Sequence, residues 1–334
     1  MDNSQNSLDY DEAVDETEKE LKNNLPPWEK ASFTQKLMIL LIKLIISVPL
    51  FTVLGLILSL CSLYFIFYMY PIFSHRANLP EVYFWHSHEE KERACIRAVV
   101  FQIILGCFVF NLLFSLYKAS VTDPGTIPNT AEWEIVIEDF SESSSENFVT
   151  EKRKDGLLRT CKFCLVKKPD RCHHCKQCDR CNLKMDHHCN WIVNCVGNNN
   201  YKYFFLTIFY SALALALFIG TFWESVIIHL LDPNVSSSLS LFIVTSYSLT
   251  VLLSIGIFVF VAFHFWLITE NFTTIEYCEK KRARVEKFSN SPYSSSTLNN
   301  FKEALGENPL QWFIPYTSYK PINQGYYFIT KHKS

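Results

Sequence analysis

An all-α polytopic membrane protein, with four membrane-crossing helices and a cytosolic cysteine-rich domain between the second and third, is the fold class this sequence predicts. Two observations point to it. Charge is missing from four long stretches of the 334-residue chain, and eight of its 12 cysteines crowd into Cys161–Cys195. Whole-chain averages hide both features. The 31 Lys+Arg and 33 Asp+Glu nearly cancel to a net charge of −2, which excludes a strongly basic nucleic-acid binder. The charged fraction of 19% is nonetheless lower than the ~25% of a typical soluble chain.

The stretches without Asp, Glu, Lys or Arg are Leu44–Phe73 (30 residues), Ala98–Tyr117 (20), Tyr203–Trp223 (21) and Pro233–Thr269 (37). About 20 apolar residues of helix cross a bilayer core, so each is long enough to span. The expected spans are 44–70, 98–117, 203–227 and, after the turn-like Pro233-Asn234-Val235, 239–267. Residues 1–30 hold nine Asp/Glu against three Lys and no apolar segment, which predicts an acidic, disordered tail. Residues 126–158, with their Ser/Glu-rich centre, predict a flexible insertion, and 270–334 form a C-terminal segment.

Orientation follows from Lys and Arg. Segments before the first span, between spans two and three, and after the fourth hold 27 of them, against four on the other side. Positive charge stays inside, so both termini and the 118–202 loop are expected in the cytosol. The bilayer is then a partner in its own right. The spans lack a credible intramembrane carboxylate pair, with Glu224 near a membrane edge, which argues against a transporter.

Cytosolic thiols stay reduced, so clustered cysteines point to metal rather than disulfides. Cys161-x2-Cys164-x9-His174-x6-Cys181 is repeated 14 residues later, with the same gaps, as Cys175-x2-Cys178-x9-His188-x6-Cys195. Three thiolates and one imidazole complete a closed, structural Zn²⁺ site, so 159–202 is expected to be a two-zinc domain. The copies interleave, so one intertwined peptide must build both sites.

A third copy would start at Cys189 and need a cysteine where Ile192 stands. Cys189 is therefore a thiol without a metal, beside the ligand His188. In an extended segment, residues i and i+2 share a face, which puts His187 with Cys189 while His188 turns to the metal. A thiolate attacks acyl carbon, an imidazole can take its proton, and a carboxylate can orient that imidazole. Asp186, His187 and Cys189 thus make a nucleophile set, although Asp186 needs a local bend to join it. The same residues also fit a catalytically silent zinc scaffold with spare Cys and His.

Asp186-His187-His188-Cys189 in this setting resembles the DHHC protein S-acyltransferases, or palmitoyltransferases. Further matches are Lys168-Pro169-Asp170-Arg171, His174-Cys175, Asn200, Phe204, Asp123-Pro124-Gly125 after the second span and Thr273-Thr274-Ile275-Glu276 after the fourth. The resemblance implies a two-step transfer. Cys189 takes a long-chain acyl group from acyl-CoA such as palmitoyl-CoA, then passes it to a cysteine of a membrane-associated substrate protein. It also implies His187 as general base, Asp186 as its orienter, and both metals as structural. Asn190 stands where the family usually has Pro, and Cys172 where small Ser or Ala is common.

By the same resemblance, Lys168 and Arg171 are expected to meet the phosphates of CoA, and Trp191 to touch the acyl chain. Ala214 on the third span is the candidate position for limiting chain length, and its small side chain predicts use of chains at least as long as palmitoyl. Phe301, Leu305, Leu310, Trp312 and Phe313 resemble the family's C-terminal packing motif, anchored by Asn300 and Gly306. No obligate partner is expected, and the Golgi, endoplasmic reticulum or another endomembrane is favoured over the plasma membrane.

Overall fold

The computed structural model describes residues 33–74, 88–128, 133, 151–152, 157–282 and 291–316. The expected acidic tail and most of the 126–158 insertion lie outside the described residues. Four described helices are long and apolar enough to cross a membrane: Ser47–Ile72, Glu92–Val121, Tyr201–Leu231 and Ser237–Glu270. The first belongs to α1 (Phe33–Tyr64), which runs on through a π-helical turn, Phe65–Met69, to Ser74. The others are α2 (His88–Val121), α3 (Tyr201–Leu231) and α4 (Ser237–Glu270). The chain is thus a mostly helical, multi-span architecture with its cysteine-rich domain between the second and third crossings.

Helices run past the charge-free stretches because charge ends a hydropathy count without ending a helix. Glu89 and Glu90 sit in the first turn of α2 and Lys118 in its last, the placement that suits the helix dipole. Arg97 on α2 forms a bidentate ion pair with Glu224 on α3, both hydrogen bonds 2.9 Å long. Glu224 therefore serves as a tie between crossings. The π-helical turn leaves the Phe67 carbonyl to accept from Ser225 Oγ at 2.6 Å, and Thr221 Oγ1 donates to Tyr64 Oη at 3.0 Å. Such hydroxyl bonds hold helices together where hydrophobic burial gives no preference.

The cysteine-rich domain consists of three short hairpins. They are β1–β2 (Thr160–Cys161, Val166–Lys167), β3–β4 (His173–Cys175, Arg180–Asn182) and β5–β6 (His187–Cys189, Asn194–Val196). Their registers repeat: Cys161 faces Val166, Cys175 faces Arg180 and Cys189 faces Asn194. Each turn also carries one left-handed residue at the equivalent place, namely Leu165, Asp179 and Val193.

Two asparagines fasten the third hairpin to α2. The last carbonyls of a helix lack intrahelical donors. Asn194 Nδ2 donates to the carbonyls of Ala119, Ser120 and Thr122, and Asn200 Nδ2 to those of Ala119 and Cys195. The Asp123-Pro124-Gly125 turn lies alongside, with Gly125 at φ +102° and its carbonyl accepting from Leu183 N. After α4 come α5 (Thr274–Arg282) and α6 (Thr297–Leu305). Asn300 Nδ2 donates to Thr269 O at 2.7 Å, and Gly306 O accepts from Trp312 Nε1 at 2.7 Å. Lys202 Nζ then takes the carbonyls of Gln311 and Tyr316, so the segment past α6 lies against α3.

Gly197 has no room for a side chain, since a Cβ there would stand 2.8 Å from Pro124 O and 2.9 Å from Leu183 O. Both obstacles are backbone and cannot swing away. Gly197→Ala is expected to lower the melting temperature in detergent, at a cost of about 1–3 kcal/mol. Gly106→Ala, which meets nothing within 4 Å, should leave it unchanged.

Candidate active site and metal sites

Cys161, Cys164, His174 and Cys181 bring their ligand atoms within 4.8 Å of one another, and so do Cys175, Cys178, His188 and Cys195. Each set could hold a metal ion. In the second, the three sulfurs lie 3.5, 3.4 and 3.5 Å from His188 Nδ1. A tetrahedron with ~2.3 Å metal–sulfur and ~2.0 Å metal–nitrogen bonds has edges of about 3.5 Å between S and N. In the first set, Cys164 Sγ is 3.3 Å from His174 Nδ1. Cys164 N and Cys178 N also donate to Cys161 Sγ and Cys175 Sγ at 3.4 Å, which steadies those sulfurs as acceptors. Cys172 is fully buried against Cys161, Cys181 and Leu183, outside both sets.

In the third hairpin, His187 Nδ1 is 2.6 Å from Asp186 Oδ2. Asp186 precedes β5 and is almost wholly buried. Its bend is fixed by three bonds: its own N–H to Val196 O, and Thr274 N and Thr274 Oγ1 to its two carboxylate oxygens at 2.9 and 2.8 Å. Burial pushes the Asp186 carboxyl up, yet the hydrogen bond and charge of His187, with Thr274, hold it below its usual range. Burial likewise pushes the His187 imidazole down, but Asp186 and the Cys189 thiol outweigh it and lift it to about 9. Nδ1 faces Asp186, so Nε2 is the nitrogen left to exchange a proton, and the raised value favours the protonated ring, the form that stabilises a thiolate beside it. Cys189 is buried among Ile192, Tyr203, Phe204, Phe205 and Ile268, so its thiol sits where the domain meets α3 and α4.

The other expected site residues fall in different places. Lys168 is half-buried, its backbone N–H bonded to Arg159 O at 2.7 Å. Trp191 is 57% exposed on the turn that follows Cys189. Ala214 lies in a separate cluster with Tyr64, Phe218 and Phe222, not in that of Cys189. Arg171 departs from expectation. Its side chain is fully buried, with two bonds to Glu276 (2.7 and 3.0 Å) and two to Asn271 (both 2.9 Å), stacked 4.6 Å from the centre of Tyr293. A guanidinium so enclosed is not a surface contact for CoA phosphates. It locks the Thr273–Glu276 turn, and with it Thr274, onto the cysteine-rich domain.

Several participants escaped sequence reasoning. Glu303 on α6 accepts from Lys184 Nζ at 2.6 Å and from Asn271 Nδ2 at 2.7 Å. Trp133 and Glu151, from the insertion expected to be flexible, are pinned: Trp133 O accepts from Lys167 N, and Glu151 bonds Arg159, Tyr293 and Arg171 N. His264 on α4 is buried beside His187, with their ring centres 6.1 Å apart. Its signal was visible, as the lone histidine inside the Pro233–Thr269 stretch.

Fold and site together define a membrane-embedded protein in which the hairpin that completes the second metal-ligand set also presents a carboxylate, an imidazole and a thiol without a metal. The DHHC palmitoyltransferase family model matches residues 154–281. Probable protein S-acyltransferase 13 of Arabidopsis thaliana is 34% identical over 223 residues, covering 64% of this chain and 72% of that one. Probable protein S-acyltransferase 15 of the same plant is 36% identical over 227 residues, covering 63% and 83%. Palmitoyltransferase ZDHHC15A of Danio rerio is 36% identical over 164 residues, covering 48% of each. The chain belongs to the DHHC palmitoyltransferase family, and is an acyltransferase that acts on proteins.

The burial of Arg171 makes a distinguishing prediction. Arg171→Met leaves Glu276 without its cation, and breaking a buried pair costs about 3–5 kcal/mol. Thermal stability in detergent should fall sharply. Unchanged stability with only a raised KM for acyl-CoA would return Arg171 to the substrate.

Proposed function

We propose that this protein moves a long-chain acyl group from acyl-CoA to cysteines of membrane-associated proteins through an acyl-Cys189 intermediate. The observation that carries this reading is the bonded chain from Thr274 through Asp186 to His187, which lies two residues before Cys189 on the same strand. Cys189 Sγ gives its proton to His187 Nε2 and attacks the thioester carbonyl carbon. The new C–S bond forms as the C–S bond to CoA breaks, and His187 returns the proton to the departing CoA thiolate. In the second half, His187 takes the proton of the substrate cysteine, whose sulfur attacks the acyl-Cys189 carbonyl. Cys189 leaves and is reprotonated, so the enzyme is regenerated with no net change.

Asp186 holds the imidazole in one tautomer and stabilises its charged form through both halves. Two zinc ions, one per four-ligand set, supply structural rigidity, since filled tetrahedral sites leave no open position for substrate. Lys168 is the remaining candidate for CoA phosphates, and Trp191 is an apolar contact for the acyl chain near the thioester. The apolar surroundings of Cys189 favour a long chain by about 0.8 kcal/mol per buried CH₂. The cytosolic placement of the site rests on the 27-to-four distribution of Lys and Arg.

Purified protein incubated with labelled palmitoyl-CoA should acquire hydroxylamine-sensitive label, and Cys189→Ser should not. Equal labelling of the two would reject the nucleophile. Metal analysis should give two zincs per chain, and a chelator that strips them should abolish labelling. Among C14, C16 and C18 acyl-CoAs, C16 and C18 should both be used; exclusive use of C14 would reject the role given to Ala214.

A further inference from the structure

Toward its C-terminal end, α4 buries a polar ring that the proposed transfer chemistry does not use. Val261, His264 and Ile268 fall at i, i+3 and i+7, one face of a helix. Val261 and Ile268 both pack into the cluster that contains Cys189, so His264 lies on the face of α4 turned to the reacting thiol. It is 1% exposed. Burying an imidazole among phenyl rings costs free energy that a leucine or phenylalanine would not, unless a partner offsets it. The partner is Tyr201, at the start of α3, whose hydroxyl lies 3.2 Å from His264 Nδ1.

What this pair holds is another ring. Phe204 stands edge-on to His264, with centres 5.0 Å apart at 71°, and edge-on to His187, 5.0 Å apart at 73°. Phe260 stands edge-on to both His264, at 4.6 Å and 88°, and Phe204, at 6.0 Å and 82°. The Phe204 ring therefore packs against both imidazoles, whose own centres are 6.1 Å apart, so the three rings form a triangle with one corner fixed by Tyr201 and another by Asp186. A hydrogen bond sets the plane of the His264 ring, which hydrocarbon packing leaves free to turn. Tyr201 and Asp186 also line one small cavity, so both ends of the arrangement rest on the same wall.

We propose that His264, with Tyr201, is a positioning residue. Through Phe204 it fixes the orientation of the His187 ring, so that Nε2 stays aimed at Cys189 in both half-reactions. The proposal rests on His187 being the base. An imidazole held by Asp186 at one nitrogen can still pivot about that bond, and the edge of Phe204 is what opposes the pivot.

The test is the single-turnover rate of acyl loading from palmitoyl-CoA on the purified full chain. His264→Leu keeps the volume and removes the bond to Tyr201. Its loading rate should fall by roughly ten- to hundredfold, the size expected for a reacting group displaced by about an ångström. The acyl-CoA concentration for half-maximal rate and the zinc content should not change. His264→Asn, whose amide can occupy the place of Nδ1, should recover most of the rate. Tyr201→Phe should reproduce the loss, and the Tyr201→Phe/His264→Leu double variant should be no slower than either single one. Should His264→Leu fail to fold, Tyr201→Phe alone carries the test, because it deletes one oxygen. Wild-type loading by the single variants, multiplied losses in the double, or a change confined to half-saturation would overturn the proposal. Cys189→Ser run alongside tests the reading beneath it: label retained there would reject the acyl-cysteine itself, whatever the His264 variants do.

Discussion

A single buried carboxylate joins the parts of this molecule. Asp186 accepts from His187 on one side and from both the backbone and the hydroxyl of Thr274 on the other. Thr274 opens α5 directly after the fourth membrane crossing, so the ionised state of Asp186 depends on a turn 88 residues away in sequence. That turn is in turn fixed by Arg171, whose guanidinium grips Glu276 and caps α4 through Asn271. Removing two charges from water is costly unless the geometry saturates them. Here Glu276, Asn271, Glu303 and Tyr293 all meet the guanidinium, and the site gains a rigid anchor for its carboxylate.

The three hairpins show how a metal-binding repeat can yield a reactive thiol. Cys161, Cys175 and Cys189 close the first strand of each hairpin, and the left-handed Leu165, Asp179 and Val193 shape each turn. Backbone geometry is preserved while the ligands change. Cys164 and Cys178 find their counterpart in Ile192, which is buried with Cys189 between the domain and the helices. Where the first two knuckles close around a metal, the third closes against apolar side chains. A metal would bind the thiolate and quench its nucleophilicity; an apolar wall leaves the sulfur free of metal.

Much of this was legible in the sequence, and the remainder was hidden for a definable reason. The four crossings and both ligand sets declare themselves through composition and spacing, properties local to the chain. The carboxylate, imidazole and thiol of Asp186, His187 and Cys189 showed themselves as what the repeat left over. Arg171 was misread because a cation in a loop is ordinarily solvated, and its partners Asn271, Glu276 and Tyr293 lie at least 100 residues away. His264 was visible as a polar ring in an apolar stretch, but nothing local indicates that it stands against Phe204. Spacing reveals ligands that share a metal; it does not reveal which distant side chains enclose a charge.

The position of the third hairpin follows from helix ends as well as from the second ligand set, to which it gives His188 and Cys195. Asn194 and Asn200 satisfy the last carbonyls of α2, and a helix end must find donors somewhere. By supplying them, the hairpin is placed at the end of the second crossing, while Tyr201 begins the third immediately after Asn200. Cys189 is therefore held between two helix termini by hydrogen bonds that neither metal contributes. The metals fix the shape of the domain, and the asparagines fix where it meets the membrane helices. Under the proposed transfer, a thiol that meets an acyl chain on one side and a water-soluble carrier on the other requires both, because shape without placement would leave it out of reach of its substrate.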